Sequence, residues 1–68
     1  MNILVILKAI ADGVIKNNTR LYSTSQLSDD LYVYRNKIYF IDQYDNLFEL
    51  AIDDLIELIE DNIIFNKE

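Results

Sequence analysis

The 68-residue chain contains no cysteine, no histidine, no proline and a single glycine. Each absence removes a class of explanation. Without cysteine there are no disulfides to staple a small fold and no thiolate metal sites, a composition that fits a reducing cytoplasm. With neither histidine nor cysteine there is no ready base near neutral pH and no thiolate nucleophile, so the chain reads as a non-enzyme. Lacking proline, internal repeats and low-complexity linkers, residues 1–68 read as one compact domain with tight turns. Long hydrophobic runs are missing as well. The apolar opening MNILVILKAIADGVI is broken by Lys8 and Asp12. A membrane-spanning helix needs about 20 predominantly apolar residues, and a secretory signal needs a basic start and a longer apolar centre. The expectation is a soluble cytoplasmic protein that does not contact membranes.

Hydrophobic residues make up 51% of the chain, enough for a globular fold and too many for a disordered one. A domain this short buries only about 60% of its unfolded surface, and its core supplies roughly 3–5 kcal/mol of net stability. Some apolar area must therefore stay outside, and a homodimer interface or a partner-binding patch is a natural place for it.

The periodicities define a small α+β fold. Asn2 is suited to cap a helix running to about Asn17, with Ile3, Ile6, Leu7, Ile10 and Val14 on one stripe. Leu4, Val5 and Ile15 lie off that stripe, which suggests cover by a second element or a second subunit. Asn17–Asn18 reads as the helix stop. TRLYSTS reads as a short edge strand and SQLSDD as loop. LYVYRNKIYFID is a hairpin signal with Asn36 in the turn; QYDN forms a second turn and LFEL a third short strand. Alternation places Tyr32, Tyr34, Tyr39 and Ile41 on one face and Leu31, Val33, Ile38 and Phe40 on the other, the latter toward the core. From about Ala51 a second helix carries Ile52, Leu55, Ile56, Ile59 and Ile63 on its predicted core stripe. The expected architecture is an N-terminal helix, a three- to four-stranded antiparallel meander and a C-terminal acidic amphipathic helix.

Charge is segregated along this order. Residues 1–37 hold five basic and three acidic residues, a balance of +2, whereas residues 38–68 hold one lysine against nine acids, −8. Between Ile41 and Asn66 lie Asp42, Asp45, Glu49, Asp53, Asp54, Glu57, Glu60 and Asp61, with no cation among them. Asp53, Glu57 and Asp61 form a row spaced about 6 Å apart along the helix axis. Like charges four residues apart cost a few tenths of a kcal/mol per pair, and Glu60 and Asp61 sit at the unfavourable end of the helix dipole. In sum the arrangement costs about 1–2 kcal/mol. A solvated face tolerated for solubility accounts for it on one reading; a partner with a basic groove, which would relieve the repulsion, accounts for it on the other. Tyr44 and Phe48 would then anchor the contact beside the charges.

Other chemistries fit less well. Direct nucleic-acid binding needs a basic footprint the chain lacks; Arg35 and Lys37 beside the tyrosines are too few to make a stacking surface for single strands. DQYDNLFE lacks the glycine and the spacing of a calcium loop, so no metal or other cofactor is expected. Ser23, Thr24, Ser25 and Ser28 have no base nearby and suit turns and caps.

With its small size, segregated charge and EL-IDDLIELIED on a helix, the chain resembles the DNA-mimic inhibitors that bacteriophages use during host takeover. Such proteins bind host nucleic-acid-binding proteins, for example HU-type nucleoid proteins or uracil-DNA glycosylase, and block the DNA site. The resemblance implies the same mode of action in a host cytoplasm, with Asp53, Glu57, Glu60 and Asp61 in primary contact and Asp42, Asp45, Glu49 and Asp54 in support. The alternatives are an immunity- or antitoxin-like neutraliser of a nuclease, and a structural or assembly module acting through the apolar first helix.

Overall fold

The computed structural model describes residues 1–67. It contains helix α1 (Ile3–Ala11), strands β1 (Thr19–Ser23), β2 (Asp30–Tyr34), β3 (Lys37–Ile41) and β4 (Leu47–Glu49), helix α2 (Ile52–Glu60) and strand β5 (Phe65–Lys67). The strands form one antiparallel sheet in the order β4-β3-β2-β1-β5. The fold is α+β, with both helices on one face of the sheet.

Two of its devices escape the periodicity. The first is the end of α1, which stops at Ala11 instead of near Asn17. Gly13 takes φ +75°, its N–H bonds to the Ile10 carbonyl at 3.1 Å, and the Val14 N–H bonds to the Ala9 carbonyl at 2.8 Å. This is a Schellman closure, in which a residue in the left-handed conformation satisfies the last free carbonyls. Glycine adopts that conformation without the penalty a Cβ brings. The chain then turns inward, so Ile15 is buried while Val14, on the expected stripe, is exposed.

The second is β5, which follows the predicted helical stripe ending at Ile63 and for which the sequence pattern predicts no element. Asn62, at φ +49°, closes α2 in the same way: its N–H bonds to the Ile59 carbonyl, and that of Ile63 bonds to the Leu58 carbonyl. Ile63 thus lies beyond the helix. Phe65 then enters the sheet opposite Ser23 and is fully buried. TRLYS, expected at an edge, becomes an interior strand flanked by β2 and β5. The sheet gains a fifth strand beyond the three or four expected.

The hairpin between β2 and β3 follows expectation. Arg35 and Asn36 both have positive φ, 51° and 62°, as a two-residue type I′ turn requires. The face alternation holds too. Leu21, Leu31 and Val33 are buried beneath the helices, with Ile38 and Phe40 packed against them. Across the sheet, Arg20, Tyr32, Tyr39 and Glu49 share the uncovered face by register.

The core is completed by Ile3 and Ile6 of α1, Leu58 of α2, and Ile15, Ile63 and Phe65. No polar side chain is buried among the described residues. The Met1 ammonium donates to the Phe65 carbonyl at 2.7 Å, and the Phe65 N–H donates to the Met1 carbonyl at 2.8 Å. This joins the start of α1 to the segment after α2. At the other end, Ile10 and Gly13 line one groove with Ala51 and Ile52, so the two helices run antiparallel.

Candidate functional site

Helix α2 faces the sheet differently from what its apolar pattern predicts. Of its residues only Leu58 is fully buried, with Leu55 partly covered. Ile52, Ile56 and Ile59, expected in the core, are 76%, 47% and 41% exposed. At 3.6 residues per turn these three lie about 100° to 160° round from Leu58 on one side. Asp61, Glu57, Asp53 and Glu60 lie about 60° to 160° round on the other. The helix therefore presents an apolar flank and an acidic flank to solvent, side by side. The rotation follows from its C-terminal anchor: Ile63 and Phe65 are drawn into the core, and Leu58, whose carbonyl accepts the Ile63 N–H, goes in with them.

The eight acids separate into three settings. Asp53, Glu57, Glu60 and Asp61 are exposed along the acidic flank. Asp54 is half-buried and structural, because its carboxylate accepts the Ala51 N–H at 3.0 Å. That is one half of a capping box; Ala51 has no oxygen to return the bond. Asp42, Asp45 and Glu49 do not continue the row past the start of α2. Glu49 is on the uncovered side of the sheet, in register with Tyr39. Asp42 organises the β3–β4 turn, accepting the Tyr44 and Asn46 N–H groups at 2.8 and 2.9 Å and the Asn46 amide at 3.1 Å. The Asn46 backbone N–H, then its side chain and the Tyr44 N–H, hold the Asp42 carboxyl below the usual aspartate range.

Asp45 is neutralised from outside the acidic segment. Arg20, on the uncovered sheet face, pairs with Asp30 at 2.8 Å and with Asp45 at 3.3 Å, and its guanidinium carbon stands 5.3 Å from the Tyr22 ring centre. The Asp30 hydrogen bond raises the Arg20 pKa above its ordinary value. Among the described residues these are the ion pairs within 4.0 Å, so Asp53, Glu57, Glu60 and Asp61 have no cationic neighbour at that distance.

Sequence reasoning missed the contribution of the loop between β1 and β2. A cleft of about 190 Å³ beside α2 is lined by Leu27, Ser28 and Asp29 from that loop, together with Asp54, Glu57 and Phe40. Asp29 thereby joins the acidic flank, and Leu27, 82% exposed, stands beside it as an apolar contact. Phe48 is half-exposed on the helix side of edge strand β4, next to Phe40 in register. Tyr44 is exposed in the β3–β4 turn. Asp29 lies outside the Ile41–Asn66 run, and only the loop's return over α2 brings it near Glu57.

Among the described residues, no three acids converge closely enough to hold a metal ion. No helix there is long and apolar enough to cross a membrane. In comparison with known proteins, no family model, no curated protein and no solved structure matches the chain.

Proposed function

We propose that the protein is a non-enzymatic inhibitor that lays the acidic flank of α2 into the basic groove of a nucleic-acid-binding protein, occupying it in place of DNA. The observation that carries this reading is the exposed row Asp53, Glu57, Asp61, with Glu60 beside it and no cation within 4.0 Å. A row of carboxylates about 6 Å apart on a rigid helix attracts lysine- and arginine-lined grooves by the same field that attracts phosphates. Asp29 widens the charged strip, and Leu27 supplies the apolar contact that charge alone lacks. Asp42, Asp45 and Asp54 serve the fold itself, which narrows the primary contact to the flank.

The resemblance to phage DNA mimics makes an HU-type nucleoid protein and a uracil-DNA glycosylase the first partners to assay, in the cytoplasm of a host cell. Calorimetry with each should show binding that weakens steeply as salt rises, and competition with duplex DNA. Changing Asp53, Glu57 and Asp61 together to lysine should abolish that binding while the far-UV spectrum stays unchanged. A triple variant that binds as well as the wild type would sink the proposal and leave the flank a solvated surface. Protection of cells from a nuclease, with no competition for a DNA-binding protein, would instead favour the immunity-like role.

A further inference from the structure

The exposed isoleucines of α2 need an explanation separate from the acids. Leu7 and Ile10 of α1 and Ile52 and Leu55 of α2 line a groove of about 690 Å³ that is closed at one side by Asn36 and Lys37 of the β2–β3 hairpin. Leu4 on α1 and Ile56 and Ile59 on α2 are 56%, 47% and 41% exposed. The outer side of the helical layer therefore carries exposed apolar side chains on both helices, with Lys8 of α1 and Asp53 and Glu60 of α2 beside them. A helix normally turns its apolar stripe toward its own core, and monomers rarely leave such a surface continuous and uncovered.

We infer that this layer is the contact surface of a homodimer, in which α1 of one copy packs on α2 of the other, and the reverse. Charge selects a second copy as the occupant, and area is sufficient for one. Helix α1 carries Lys8 and no acid, whereas α2 carries Asp53, Asp54, Glu57 and Glu60 and no base. Placing α1 on the partner's α2 sets Lys8 among acids and apolar residues on apolar residues. Both contacts are made twice by one two-fold axis, as a self-complementary interface requires. Packing α1 on α1 and α2 on α2 would oppose like charges.

The protein exposes 4818 Å² and has nearly equal extents of 26 × 26 × 23 Å. One face of such a body offers on the order of 800 Å², the share each partner contributes to a standard stable interface. The dimer is a four-helix layer enclosed by two sheets. It leaves the outward-turned Arg20–tyrosine faces of both sheets free and Glu57 and Asp61 at the rims of the helical layer, so a basic partner reaches Asp53 and Glu60 in the monomer and only Glu57 and Asp61 in the dimer.

Sedimentation of the wild-type protein alone, from micromolar to submillimolar concentration, tests this without reference to any partner. The expected mass is twice the 8.0 kDa of the chain. Ile56→Asp and Leu4→Asp, each at an exposed position, should raise the dimer dissociation constant at least tenfold, and Lys8→Glu should raise it severalfold. All three should keep the wild-type far-UV spectrum. A wild-type protein that stays monomeric throughout overturns the inference, whatever the variants do. So does a dimer insensitive to both aspartate substitutions, because association through the edge strands would behave that way. Since Ile56→Asp leaves the acidic flank intact, its binding to a basic partner reports separately on the proposed inhibitory role.

Discussion

Helices α1 and α2 have the same length, nine residues, and the same ending, yet they use their apolar residues differently. Each is followed by an aspartate and then by a left-handed residue, Gly13 or Asn62, that closes a Schellman motif. In α1 the regular stripe and the buried side agree over its inner part: Ile3 and Ile6 are in the core with Ile10 packed against it, while Leu7 is 39% exposed and Val14 falls beyond the helix end. In α2 they disagree, since Leu58 is buried and Ile52, Ile56 and Ile59 are not. Helical periodicity tells which residues share a side. Which side faces the sheet is decided by what the helix is tied to, here the buried Ile63 and Phe65 just beyond its end.

The difference between the helices can be tested by treating matched positions alike. The largest effect is expected within α2 itself. Leu58→Ala should cost about 2–5 kcal/mol through lost burial and the cavity left behind, comparable to the whole stability of so small a domain. Ile56→Ala, two residues away and about 160° round the helix, should change monomer stability by no more than about 0.5 kcal/mol. Urea titration under monomeric conditions measures both. Equal losses at the two sites would show that α2 is rotated to bury the regular stripe after all.

The two closures come next. Gly13→Ala meets no atom within 4 Å, so its cost is conformational, from a side chain held at φ +75°; it should be about 1–2 kcal/mol. Asn62→Gly places the better left-handed residue in the equivalent position and should not destabilise. Thermal unfolding of the pair compares them directly, and a neutral Gly13→Ala would mean that α1 can continue through Asp12.

The smallest effects concern the starts. The Asn2 side chain accepts the Val5 N–H at 3.0 Å, whereas Ala51 offers no side-chain cap. Asn2→Ala should cost about 1 kcal/mol, and Ala51→Ser should add about 0.5–1 kcal/mol by completing the capping box with Asp54. Opposite signs in denaturant midpoints confirm the asymmetry. A stabilising Asn2→Ala would refute it.

The same contrast explains how much could be read from residues alone. The α+β class, the Arg35–Asn36 turn and the separation of Tyr32 and Tyr39 from Leu31 and Val33 follow from patterns that repeat over a few residues. Those patterns are properties of local backbone geometry. The end of α1 was also local, marked by Gly13, but the continuing apolar residues Val14 and Ile15 masked it. Strand β5 was hidden because FNK is short and follows a helical repeat without a glycine or proline, and its partner Tyr22 lies 44 residues away in register with Asn66. Of the candidate surface, the row on α2 was legible. The removal of Asp45 by Arg20 and the arrival of Asp29 were not, because both depend on contacts between distant segments.

The paired hydrogen bonds between Met1 and Phe65 bear on how the molecule is made. Their partners are separated by 64 positions, and at a synthesis rate of about 5–20 residues per second the second partner follows the first by roughly 3–13 seconds. Throughout that interval the start of α1 lacks its final tether and β1 lacks one neighbour. Closing so long a loop is also entropically slow relative to forming the central hairpin. The nascent chain therefore spends seconds with its most apolar helix incompletely held, until translation of β5 supplies the strand that locks α1 in place.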